Sequence, residues 1–132
     1  MARSFCFGKI KYMMNFLYVG LGGFVGASLR YGVTVLGAAL SWRGHWATLA
    51  VNVLGSLAIG FLAPYFEDST HPGRLFLIVG VLGGFTTFSS FSLDTLTLYH
   101  NREFIWAGLN VLLNVAVCLA AVWGGFKLHQ VL

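Results

Sequence analysis

Apolar residues run in four long stretches, at about 15–40, 46–66, 74–99 and 104–126, parted by the short polar segments SWRGH, EDSTHPG and HNRE. A bilayer's hydrocarbon core needs roughly 20 apolar residues per helix, and each stretch meets that length. The pattern predicts four membrane-spanning helices. Connections this short make successive helices antiparallel neighbours. Pro72 suits the first turn of the third helix, where its missing N–H costs nothing. No internal repeat and no soluble domain interrupts the series, so residues 1–132 read as a single four-helix transmembrane domain.

The third stretch departs from a plain spanning helix at its centre. There the chain reads GGFTTFSSF, residues 83–91, with two glycines and four hydroxyl residues among three phenylalanines. Gly83-Gly84 lowers helix propensity, and Thr86-Thr87 adds β-branching and hydroxyls that compete for the backbone. A break near 83–87 would leave carbonyls unpaired at the end of one half-helix and N–H groups unpaired at the start of the next. Backbone of that kind survives at membrane depth only when buried in protein or lining a wet cavity, and discontinuous helices often mark ion sites. The other reading of the same residues is an intact helix whose Ser and Thr hydroxyls bond back to its own carbonyls.

Composition narrows the classes. Of 132 residues, 58% are hydrophobic and only 9% charged, too apolar a balance for a soluble domain of this size. The formal charge of +4 reads as helix-end anchoring. Lys and Arg are nowhere clustered with stacking aromatics, so the chain shows no nucleic-acid footprint. Cys6 and Cys118 fit no metal or redox spacing, and His45, His71, His100 and His129 are scattered near segment ends. No nucleophile, base and orienting group share nearby faces, which argues against an enzyme. Asp94 is the one acid well inside a predicted helix.

Charge also bears on orientation. With the N-terminus on one side, that side holds Arg3, Lys9, Lys11, Arg74 and Lys127, and the other holds Arg43 and Arg102. Five against two predicts an internal N-terminus. Three of the five lie in the tail MARSFCFGKIKYMM, which reads as a short cytoplasmic or interfacial extension of a chain that could start at Met13 or Met14. Without the tail the count is two against two, the balance expected of a chain that inserts both ways up. Trp42, Trp46, Tyr99 and Trp106 fall toward one interface, and Tyr65 and Trp123 toward the other.

Seventeen glycines are available for close packing. Gly22 and Gly26, Gly80 and Gly84, and Ser56 and Gly60 have the small-x3-small spacing that lets helix backbones approach. Packing within one bundle accounts for most of them, and contacts between subunits for the rest. Four helices of this length enclose little cavity, so a transport path calls for a second copy.

Polar residues inside a membrane are costly and therefore candidates for function. Phe88 and Phe91, at i and i+3, share a face and offer positive ring edges to a small anion; the alternative is ordinary packing. Asn52, near the centre of the second helix, has Thr48 one turn earlier on its face, and serves either a pathway or interhelical bonding. Asn110 and Asn114 form a similar stripe on the fourth helix, continued by Cys118. Arg30, in the first helix, either snorkels or lends positive potential to an anion's approach.

Three blocks, GGFVGASLRYG, TLAVNVLGSLAIG and GVLGGFTTFSSFSLDT, together resemble the Fluc (CrcB) family of bacterial fluoride channels. They occur in the family's order and cover three of the four helices, and the third block is the most specific. The resemblance implies an all-α membrane protein whose third helix is broken, assembling as an antiparallel, dual-topology homodimer with two narrow pores. It implies passive fluoride efflux across the bacterial inner membrane, lowering cytoplasmic fluoride after HF enters. Carried over by position, Phe88 and Phe91 are the pore phenylalanines and Asn52 the pore amide. Thr48 lies on the approach, Ser89 and Asn114 on the polar track, and Arg30 beside the vestibule. The backbone carbonyls of Gly83 and Thr86 would hold a structural sodium ion at the dimer axis. Three departures stand out: Ser90 for the usual Thr, Asp94 for the common Glu, and Asn114 for a hydroxyl residue. A dual-topology multidrug transporter of similar size needs a carboxylate midway along its first helix, and this chain has only Arg30 there. A non-transporting membrane subunit is the third reading, and it would tolerate changes at Phe88 and Asn52 like any other packing change.

Overall fold

A computed structural model describes residues 2–132, with side chains described from Tyr12 onward. The readings of Cys6 and of Arg3, Lys9 and Lys11 in the tail lie outside the described side chains.

Helix α1 spans Ala2–Ala39 and α2 spans Gly44–Leu62, followed by a 3-10 turn at Ala63–Tyr65. The third span begins with α3 (72–85), built of Pro72–Arg74, a π-wound stretch Leu75–Leu82, and Gly83–Phe85. It resumes as α4, Phe88–His100, and the last span is α5, Phe104–Val131. Four segments are long and apolar enough to cross a membrane: Tyr12–Ala39, Gly44–Tyr65, Pro72–His100 and Phe104–Val131.

The bounds differ from the sequence reading at several ends. The second helix stops at Leu62 because Pro64 lies in the turn that follows, and it begins at Gly44 rather than Trp46. The last helix continues past position 126 to Val131, carrying Lys127 and His129 on its final turns, where cations suit the carbonyl end. The first helix is continuous from Ala2 rather than from about position 15. Tight turns close the other gaps: Ser41 and Arg102 both adopt left-handed backbone, with φ of 58° and 60°. His71 caps the third span, its Nδ1 accepting from Gly73 N at 3.1 Å.

The helices associate in two sets. α1 packs chiefly along α3, and α2 packs chiefly along α5, with α4 against α5. Glycine permits the first contact: a methyl at Gly80 would lie 2.8 Å from the Gly22 Cα, and one at Gly26 would overlap the Val81 carbonyl. The second contact has its own small positions, since a methyl at Gly60 or Gly125 would overlap the backbone of Val122 or Leu57. Both the Gly22/Gly26 and the Gly80/Gly84 pairs thus serve packing within the chain.

Candidate functional site

The site is built where α3 gives way to α4. Thr86 closes α3, its N–H and its hydroxyl both donating to the Leu82 carbonyl at 3.0 and 2.9 Å. The backbone then leaves helical geometry for two residues: Thr86 has φ −75° and ψ 156°, and Thr87 φ −152° and ψ 116°. β-branched threonine tolerates this extended conformation well. Thr87 then starts α4 as its cap, its Oγ1 accepting from Ser90 N at 3.1 Å.

Asn52 of α2 holds the extended pair in place. Its Oδ1 accepts from Thr87 N at 2.8 Å, and its Nδ2 donates to Thr87 O at 3.2 Å. The amide therefore pairs with both backbone groups of one residue, the N–H and the carbonyl of Thr87, and both residues are buried. A continuous helix would direct Thr87 N to the Gly83 carbonyl and Ser90 N to the Thr86 carbonyl, four residues back. Here the first donor goes to Asn52 and the second to the Thr87 hydroxyl. The oxygens of Gly83 and Thr86 thus lose their regular helical donors, each for an identifiable reason.

From Asn52 a chain of hydrogen bonds runs across to α5 and back. Asn52 Nδ2 also donates to Asn114 Oδ1 at 3.0 Å. Asn114 Nδ2 donates to the Asn110 carbonyl and Oδ1 at 3.0 and 3.1 Å. Asn110 Nδ2 donates to Thr95 Oγ1 at 2.9 Å, and the Thr95 hydroxyl donates to the Phe91 carbonyl at 2.8 Å. Every link uses a donor and an acceptor that would otherwise be buried at a cost of about 1–3 kcal/mol each. Cys118, which continues the Asn110–Asn114 stripe in sequence, is a half-buried free thiol outside this chain of bonds.

One turn toward the start of α2, the Thr48 hydroxyl donates to Asp94 Oδ2 at 2.6 Å. The spacing 48, 52 on α2 thus faces 94, 87 on the third span, and Asp94 is not the solitary acid that its sequence position suggests. Facing stripes of polar residues on two helices are the signal that could have paired them.

The remaining candidates are placed as follows. Phe91 is buried at 8% exposure, whereas Phe88 is 78% exposed on the single chain, with ring centroids 5.2 Å apart and planes tilted by 60°. Ser89 is exposed, its Oγ 3.1 Å from Thr87 Oγ1. Gly83, Thr86, Asn52 and Ser56 border one groove of about 230 Å³ between α2 and α3. Arg30 is half-buried on α1, and among the described residues no ion pair involves it.

Spanning-length apolar helices joined by tight turns, with side-chain amides buried among them, define a multi-pass helical membrane protein. The family described as CrcB-like protein, Camphor Resistance (CrcB), matches residues 17–126, and the chain belongs to it. It is 53% identical over 122 residues to a protein of Elusimicrobium minutum named fluoride-specific ion channel FluC, covering 91% of this chain and 97% of that relative. Proteins of the same name from Rhodospirillum rubrum and Paramagnetospirillum magneticum are 43% identical over 118 residues and 44% identical over 119. These cover 85% and 86% of this chain, and 92% and 93% of the relatives. The names are those of ion channels and not of enzymes.

Proposed function

We propose that the chain is a fluoride-selective channel of the bacterial inner membrane, working as an antiparallel homodimer of dual topology with two pores. The observation that carries this reading is the Thr87 peptide turned out of the helix and held by Asn52. Around it lie neutral donors and two phenyl rings, in a chain whose relatives are named fluoride channels.

Fluoride is small and strongly hydrated, so a pore has to replace its water with donors yet bind it weakly enough to release it. Asn52 and Thr48 meet both demands because their donors are already engaged. An ion drawing on Asn52 Nδ2 displaces the bond to Asn114, and one drawing on the Thr48 hydroxyl displaces Asp94. The ion gains only the difference between two hydrogen bonds, which keeps each site shallow. Ser89 and Asn114 offer replacement partners along the track, and the positive edges of Phe88 and Phe91 line the narrow part. Arg30 lends positive potential to the approach.

A second copy covers the exposed Phe88 and the groove beside Gly83 and Thr86 in this reading. The carbonyls of Gly83 and Thr86, deprived of their regular donors, suit a hard monovalent cation, and we assign them to a structural sodium ion at the dimer axis. When bound, that ion supplies positive charge that offsets part of the cost of holding anions in low dielectric.

Ion efflux from liposomes holding the purified protein tests the proposal. A fluoride current with negligible chloride current is expected; equal currents, or none, would reject it. Labelling both termini on intact cells is expected to show mixed orientations, and a single orientation would reject the antiparallel dimer.

A further inference from the structure

His45 is the buried polar residue that the reading above leaves unused. It lies in the first turn of α2, is 6% exposed, and its Nε2 is buried with no hydrogen-bond partner. Its ring is flanked by Trp46 and Trp106, with centroids 5.0 and 6.2 Å away. It also lines a cavity of about 250 Å³ whose other polar walls are Arg43, Asp94, Thr97, Asn101 and Glu103. One wall, Asp94, accepts from Thr48, so this cavity adjoins the end of the polar path that leads to Asn52.

The charges acting on the imidazole come from three elements: Arg43 before α2, Asp94 on α4, and Glu103 at the start of α5. Arg43 is ion-paired with Glu103, and its guanidinium also sits over the Trp106 ring, 5.8 Å from the centroid. Those two charges cancel. Asp94 adds a formal negative charge, and the hydrogen bond it accepts comes from the neutral Thr48 hydroxyl. With His45 neutral, the cavity carries one net negative charge; with His45 protonated, it carries none.

We propose that His45 is a proton-responsive positioning residue at one mouth of the pathway, and that its protonation cancels the Asp94 charge and raises anion passage. Histidine is the side chain that ordinarily changes charge between about pH 5 and about pH 8. The direction matches the load: a weak acid of fluoride crosses membranes fastest when the medium is acidic, so efflux is needed most there. The inference rests on the channel reading.

Fluoride current across a planar bilayer, at equal pH on both sides, decides it, because neutral HF carries no current. Between about pH 8 and about pH 5, wild-type current is expected to rise roughly threefold, the effect of one unit charge screened across several ångströms. In His45→Gln the current is expected to stay near the wild-type value at about pH 8 throughout. A rise that persists in the variant assigns the response to Asp94 or Glu103 and overturns the proposal, as does a flat wild-type profile. Nitrogen-15 resonances of labelled histidine in the wild-type protein supply a second readout, independent of how the variant folds. An imidazole at position 45 that does not titrate in this range overturns the proposal. Absence of fluoride current at every pH removes the channel reading and this inference together, whereas a constant current removes the inference alone.

Discussion

The α1–α3 contact and the α2–α4–α5 contact solve the same problem by different means. In a bilayer, hydrophobicity no longer drives helices together. α1 and α3 meet through Gly22, Gly26, Gly80 and Gly84, so backbone touches backbone and dispersion does the joining. Between α2, α4 and α5, by contrast, the amides of Asn52, Asn110 and Asn114 run hydrogen bonds from one helix to another. The first contact has little polar surface to offer an ion. The second has close backbone contacts of its own at Gly60 and Gly125, but adds a row of amides that satisfy one another internally. In the proposed channel the ion path lies on the second side, and the first serves as a rigid frame.

The sharpest way to break this contrast is to remove Asn52. Asn52→Leu strands the Thr87 N–H and carbonyl and the Asn114 oxygen, so a loss of about 3–5 kcal/mol is expected in detergent-unfolding curves. Fluoride flux should vanish with it. A variant that unfolds like the wild type would show that the extended Thr86–Thr87 pair holds itself. Next in size is Gly26→Leu, where the new side chain meets the Val81 carbonyl; overpacking of about 1–3 kcal/mol is expected, read as a lower melting temperature. Because that contact is frame and not path, its surviving folded fraction should conduct normally.

Phe91→Ile and Phe88→Ile separate path from frame in the other direction. Each is expected to cut fluoride flux by roughly tenfold or more, about 1.4 kcal/mol in barrier height, while dimer assembly on gel filtration persists. Normal flux in both would remove the rings from the pore. Asn114→Ser should cost about 1 kcal/mol, since serine is too short to span from α5 to Asn52. The smallest effect belongs to Glu103→Gln. It dissolves a partly exposed ion pair with Arg43, worth at most about 1 kcal/mol, and a larger stability change would mean the pair is structural.

Much of this was legible along the chain. Apolar run lengths suffice to place four spans, because a bilayer imposes one length on every helix. Gly83-Gly84-x-Thr86-Thr87 marks the place where helical geometry ends, since both residue types weaken a helix locally. Asn52, Asn110 and Asn114 stand out individually as costly polar residues. Their mutual bonding does not, because it depends on which helix faces which, and periodicity is silent on that. The same limit hid the Thr48–Asp94 bond and the burial of His45 among the tryptophans. The π-winding of Leu75–Leu82 left no trace in a run of ordinary aliphatic residues.

The row of three asparagines has one more consequence. A carboxamide neither gains nor sheds a hydrogen nucleus near neutral pH, so no Grotthuss hopping can pass through Asn52, Asn114 and Asn110. In the proposed channel, a pathway insulated in this way would vent halide while leaving the cell's chemiosmotic gradient intact.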